Sequence, residues 1–264
     1  MPNSQPELPA VTDSLRRSTR RLSAALQSMS DERIAGPSYD DDWSVGQVAS
    51  HLGSGAEIFA MVIDAGLQGK EAPGPDQFAP VWEAWNAKDP VRQARDAVAA
   101  DQAFLAKVDG LTPVEADEWR MELFGSDTDL AGVLRMRVSE HAAHTWDVVV
   151  MSDPDAGLAE DAVEAIIDTV VPQMVGYRSK GVSAPQVIDV TTTAPARRLL
   201  LTLGPDGAVL EAASDRAGAD ARLELPAEAF VRLLYGRLDP DHTPADVTAE
   251  GVDLDAIREA FPGL

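Results

Sequence analysis

Through the first 151 positions hydrophobic residues recur at helical spacing in four long blocks, and beyond them the period changes to the alternation of strands. No other feature of the chain constrains its fold as strongly. Leu15, Leu22 and Leu26 mark a helix over 12–29, with Asp13 near its positive end. Ser44 followed by Gln47 is a capping-box pattern, and Val45, Val48, Ala49, Leu52, Ala56, Phe59 and Ile63 then share a face, which predicts a second helix over 44–67. A Pro/Gly-rich stretch at 72–80 leads to Trp82 and Trp85. Val91, Ala94, Val98, Phe104, Leu105 and Val108 then support a third helix ending at Gly110. After a loop, a fourth spans 129–151. Helices of this length joined by irregular loops predict a four-helix bundle over residues 1–155.

Residues 156–264 read as a smaller α/β domain, so the fold class is α+β. One helix is expected over 159–178, followed by strands at 186–193, 198–203, 208–212 and 221–225. Gly204-Pro205-Asp206-Gly207 is a hairpin turn between two of them. Helices over 226–235 and 253–261 flank a short strand at 247–249.

With 45% hydrophobic residues the chain can bury a sizeable core, and its net charge of −22 opposes nucleic acid and anionic membranes. The most apolar long stretch, 162–175, carries Glu164, Asp168 and Pro172 and falls short of the roughly 20 residues of a membrane span. The opening segment has no apolar run of the secretory type, so a cytoplasmic protein is expected. Cysteine is absent. Disulfides, thiolate zinc sites and a cysteine nucleophile are therefore excluded, and any thiol chemistry must use a thiol from outside.

Three of the four histidines, His51, His141 and His144, fall in the second and fourth predicted helices. Glu140 and His144, at i and i+4, lie within about 40° on a helical wheel. With His51 they would supply three metal ligands and one open position, as a catalytic zinc site requires. The wheel has a second reading. The apolar arc of Leu130, Val133, Leu134, Val148 and Met151 centres nearer His141 than Glu140, which favours His141 and His144 as the inward pair. Spacing leaves both sets open.

The segment Trp43-Ser-Val-Gly-Gln-Val-Ala-Ser-His51-Leu, together with Glu140-His-Ala-Ala-His144-Thr-Trp-Asp147, resembles the two signature helices of the mycothiol-dependent maleylpyruvate isomerase family. That family, one of the DinB-like thiol-dependent metalloenzymes, pairs a metal-binding four-helix bundle with an α/β domain resembling the sterol-carrier fold. The resemblance covers essentially the whole chain. It implies zinc or another divalent metal held by His51, Glu140 and His144, with the open position taking water or the thiolate of mycothiol as thiol cofactor, and His141 left structural or substrate-facing. Asp147, three residues after His144, can accept the imidazole's distal N–H. Leu233-Leu-Tyr-Gly-Arg237-Leu is similar to the family's aromatic-Gly-Arg segment, which implies a catalytic Arg237 presenting a fork to a carboxylate, with Arg232 in reserve. Trp82 and Asn86, with Trp85, are read as walls of the cleft that contact the cofactor.

The expected function is zinc-dependent isomerisation of a maleylpyruvate-like substrate with mycothiol, or transfer of that thiol to an electrophile. Its partners would be a small thiol and a small electrophilic or anionic substrate, in a monomer or homodimer. An Ala- and Asp-rich, lysine-poor composition fits an actinobacterial source. Two rivals stand: a non-catalytic metal-binding or regulatory protein of the same fold, and a zinc hydrolase active without thiol.

Overall fold

The computed structural model describes residues 7–40, 42–213 and 218–263; the first six residues of the segment read as lacking a secretory signal lie outside them. The chain divides into two units, Met1–Ala156 and Gly157–Leu264.

The first unit runs α1 (Leu8–Gln27), α2 (Asp31–Ala35), α3 (Val45–Leu67), α4 (Pro75–Asn86), α5 (Pro90–Asp109), α6 (Pro113–Glu118), β1 (Arg120–Leu123), β2 (Ser126–Asp129) and α7 (Leu130–Val149). Side-chain caps start α3, α5 and α7, whereas α1 begins at Leu8, four residues before the expected position 12, without one. Ser44 Oγ accepts the Gln47 N–H at 3.2 Å while Gln47 Oε1 accepts the Ser44 N–H at 2.9 Å. Asp89 accepts from the Arg92 backbone and Asp129 from Gly132, opening α5 and α7.

Two stretches read as loops contain structure. Gly74 and Pro75 begin α4, with Gln77 Oε1 accepting the Gly74 N–H at 3.1 Å; proline at a first helical position favours a helix start as readily as a break. Before α7, strands β1 and β2 form a hairpin whose turn residues Phe124 and Gly125 both have positive φ, 52° and 76°. An Asn-Gly pair would have announced that turn; Phe-Gly does not.

α3 packs mainly against α5 and also against α7, while α1 packs against α7. Leu22, Leu26, Val45, Val48, Ala49, Leu52, Trp85, Ala94, Ala97 and Val148 form one buried cluster across these elements. Gly53 admits Trp85 to it: a Cβ there would lie 2.2 Å from the indole ring.

The second unit holds α8 (Glu160–Ile166), α9 (Val170–Arg178), β3 (Gln186–Thr193), β4 (Arg197–Gly204), β5 (Gly207–Ala212), β6 (Ala221–Pro226), α10 (Ala227–Leu234), β7 (Thr248–Glu250) and α11 (Leu254–Ala260). The single helix expected over 159–178 is two. Pro172 cannot donate to the carbonyl of Asp168 and its ring crowds that carbonyl, so the first helix stops before it. The sheet order is β5-β4-β3-β6-β7, with β3 and β6 parallel and the other pairs antiparallel. Alternation puts Ile188, Val190, Leu199, Leu201, Leu203, Leu210, Leu223 and Leu225 in the core, where Phe230, Val231, Leu233 and Leu234 of α10 are also buried. Among the described residues no helix is long and apolar enough to cross a membrane.

Candidate metal centre

Two helices bring the cluster together. His51 lies on the second turn of α3, and Glu140 and His144 are one turn apart on α7, which packs against α3. The potential ligand atoms of His51, Glu140 and His144 all lie within 4.8 Å of one another. His51 Nε2 is 2.8 Å from Glu140 Oε2, His144 Nε2 is 3.7 Å from the same oxygen, and the two imidazole rings meet edge to face at 4.6 Å.

His144 is held from behind. Its Nδ1–H donates to Asp147 Oδ2 at 2.8 Å, and the Asp147 side chain is fully buried. This leaves the Nε2 lone pair turned to the cluster, the tautomer a metal ligand needs. Burial lowers the His144 pKa against the opposing pull of Asp147, so the ring stays neutral below its ordinary range. Burial alone would raise the Glu140 pKa. The hydrogen bond from His51 and the charges of His144, His51 and Arg137 outweigh it and hold the carboxyl well below its usual range. Two imidazoles, one of them kept neutral by burial, and one carboxylate kept ionised form a donor set suited to zinc or a similar divalent ion.

Trp43, which the residue pattern did not single out as a site residue, completes the wall. Its ring is 5.4 Å from that of His51 and 6.3 Å from that of His144, near parallel to the latter at 27°. The segment carrying it is fastened to α7, since the Tyr39 N–H donates to the Asp147 carbonyl at 3.0 Å.

His141 does not join the cluster. It is fully buried, but its Nε2 lies 3.1 Å from Asp101 Oδ1 on α5. α4 packs on Gly53 and Glu57 through Trp85, whose Nε1–H donates to Glu57 at 3.0 Å. Gly53 follows His51 by a rotation of about 200°, so α4 lies on the far side of α3 from His51. Trp82 on that helix is 43% exposed and faces Phe78, and Asn86 is exposed.

In the second unit Arg237 follows the C-terminus of α10, is 6% exposed, and donates from Nη1 to the Tyr235 carbonyl at 2.8 Å. Arg232 is no reserve for it: its fork is engaged by Glu228 at 2.7 and 2.8 Å, and its Nη1 by the His242 carbonyl.

A helical unit with a His/Glu/His cluster able to hold a metal, followed by a five-stranded α/β unit, is the class of protein defined here. Residues 15–149 match the model of the mycothiol maleylpyruvate isomerase N-terminal domain, and residues 157–257 that of the C-terminal domain of the same family. The chain therefore belongs to the mycothiol maleylpyruvate isomerase family. Its fold is similar to the crystal structure of the mycothiol-dependent maleylpyruvate isomerase, with a TM-score of 0.68 and 13% identity over 94% of this chain and 95% of that one. A histidine-to-alanine mutant of that protein matches equally. No curated protein matches the chain.

Proposed function

We propose that this protein is a zinc-dependent enzyme of the cytoplasm that uses mycothiol to isomerise a maleylpyruvate-like cis-ene-dione. The observation that carries the reading is the convergence of His51, Glu140 and His144 within 4.8 Å on helices of a chain that matches this family along both units. In this reading the three side chains are the protein's whole ligand set. Zinc bound there would supply the positive charge that keeps an incoming thiol ionised at neutral pH. The absence of cysteine fits a nucleophilic sulfur that arrives with the cofactor.

The thiolate adds to the activated C=C, the resulting single bond rotates, and expulsion of the same thiolate restores the double bond in the trans form. Neither thiol nor substrate is consumed as a reductant. Asp147 keeps His144 in one tautomer throughout. Trp43 shields one side of the imidazole pair from water. Arg237 is assigned the substrate carboxylate, on the similarity of its Tyr235-Gly236-Arg237 segment to the family's. Trp82 and Asn86, exposed one turn apart on α4, are proposed contacts only for the part of the thiol remote from its sulfur.

The test is metal analysis combined with turnover of a cis-ene-dione in the presence and absence of mycothiol. Stoichiometric zinc and strictly thiol-dependent isomerisation are expected. Turnover without thiol would favour a hydrolase, formation of a stable thioether would favour S-transfer, and bound zinc with no turnover would favour a binding protein. In the cobalt-substituted protein, mycothiol should bring up a thiolate charge-transfer band; its failure to do so would remove the metal-thiolate step.

A further inference from the structure

The interior of the helical unit holds a second polar group. The side chains of Arg137, Asp101 and His141 are 1%, 4% and 0% exposed. Arg137 Nη2 lies 3.0 Å from Asp101 Oδ1, 3.2 Å from the Leu52 carbonyl oxygen and 3.1 Å from His141 Nε2. His141 Nε2 is also 3.1 Å from Asp101 Oδ1. A guanidinium nitrogen only donates and a carboxylate only accepts. The arrangement that satisfies most groups has Nη2 donating to Asp101 and Leu52, and His141 Nε2–H donating to Asp101.

Such a group is a poor way to hold helices together. Removing an arginine and an aspartate from water is a cost that their attraction repays only when every hydrogen bond is made, and apolar side chains of similar volume often stabilise as well or better. Here Arg137 Nε and His141 Nδ1 have no hydrogen-bond partner. A Cβ at Gly55 would lie 2.7 Å from Arg137 Nη1, so a larger residue there would displace the guanidinium.

What the group does, and apolar packing cannot, is join particular residues of three helices. Hydrophobic attraction has no direction, whereas the Arg137 bond names one carbonyl. That carbonyl belongs to Leu52, the residue after His51 on α3, while Arg137 stands one turn before Glu140 on α7. Asp101 anchors the guanidinium from α5.

We infer that Arg137, Asp101 and His141 are positioning residues that set the axial register of α3 against α7, so that His51 and Glu140 meet at the metal centre. The inference rests on reading His51, Glu140 and His144 as metal ligands, and it implies a property that survives in metal-free protein: the His51–Glu140 hydrogen bond depends on the buried group.

The experiment compares wild type with the triple variant Arg137→Met, Asp101→Leu, His141→Leu and with the single variant Asp101→Asn, which keeps its volume. Three measurements are made: thermal unfolding, cobalt binding followed by its visible ligand-field bands, and the imidazole 15N shifts of metal-free protein labelled only at histidine. The triple variant should unfold at or above the wild-type temperature, yet bind cobalt about tenfold or more weakly, with displaced bands and a moved His51 signal. If it folds and both cobalt binding and the His51 signal match wild type, the inference is overturned. Should the triple variant not fold, Asp101→Asn decides: weaker cobalt binding and a moved His51 signal support the role, and wild-type values for both overturn it. Wild type that binds no cobalt, with a His51 signal that still moves in the variants, would sink the metal reading while supporting the register role.

Discussion

Asp147 accepts the Nδ1–H of His144 at 2.8 Å, from a side chain fully buried less than one turn further along α7. A carboxylate in that place fixes the ring's orientation and raises its basicity toward whatever Nε2 binds. Asp147→Ala should therefore weaken zinc binding by about 10- to 100-fold while leaving the ligands in place, and Asp147→Asn should weaken it less. Competition with a chromophoric chelator measures this; equal affinity in wild type and Asp147→Ala would show that the contact is only structural.

Alanine at His51, Glu140 or His144 should each abolish most bound zinc with the helical circular dichroism retained. His141→Ala should keep far more zinc than any of these three, because its imidazole faces Asp101 and not the cluster and its loss acts on the metal only through the register of α3 against α7. Zinc lost from His141→Ala and kept in Glu140→Ala would restore the alternative in which the apolar arc of the helix picks out the ligands.

Two lowered pKa values in the metal-free cluster contribute to the pH dependence of stability. His144 titrates below its ordinary 6.5 because burial disfavours the cation. The unfolded chain therefore takes up this proton at higher pH than the folded one, so stability is full above about 6.5 and declines as the pH falls through that value. Glu140 also titrates below its ordinary 4.5. It contributes stability that is complete above that value and lost as the pH falls toward its folded pKa. Melting temperatures across this range should drop in two stages, and His144→Gln should remove the upper one. A single stage in wild type, unchanged by His144→Gln, would contradict the assignment.

Gly53→Ala should destabilise the helical unit by about 1–3 kcal/mol, because the new methyl meets the Trp85 indole at 2.2 Å and the ring, 2% exposed, has little space to retreat. Trp82→Ala, at an exposed position of the same helix, should change stability by less than about 0.5 kcal/mol. Urea unfolding distinguishes them, and comparable losses from the two would mean that the wrong tryptophan has been placed in the core.

Arg237→Lys keeps the charge and loses the planar fork, so turnover of an anionic substrate should fall while zinc content stays at the wild-type level. Steady-state kinetics beside metal analysis tests this. An unchanged rate and KM in Arg237→Ala would show that its role is structural, as in its bond to the Tyr235 carbonyl.

Much of the helical unit is legible in the residues because its signals are local. Ser44 and Gln47 cap each other within one turn, and the strand alternation of 186–193 needs only the pleat. α4 was obscured because Gly74-Pro75 carries the same letters whether a helix starts or a loop continues. The wheel of α7 leaves the ligand set open for a different reason. It gave burial correctly for His141, but fifteen of the helix's twenty residues are buried, since α1 and α3 pack against it and the Asp101 of α5 reaches it. On a helix covered from several sides, an apolar arc does not tell which neighbour a polar side chain meets. Trp43 is legible only as part of the signature segment and not as a site residue, because it precedes the helix cap and what it touches depends on the path of the segment fastened to α7.

Residue order alone was enough for most of the long helices and the sheet strands, the change from helices to sheet and the absence of any internal thiol, because periodicity, capping and composition act over a few residues; the set His51, Glu140 and His144 came from resemblance to a family, with spacing leaving His141 open. The placing of Glu140, and not His141, beside His51 and His144, the burial of Asp147 and the presence of Trp43 beside the imidazoles were decided by packing. His51 and Glu140 are 89 positions apart, and nothing local relates them. Their 2.8 Å contact exists because α3 and α7 lie together at one register, a relation set by side chains from several helices at once.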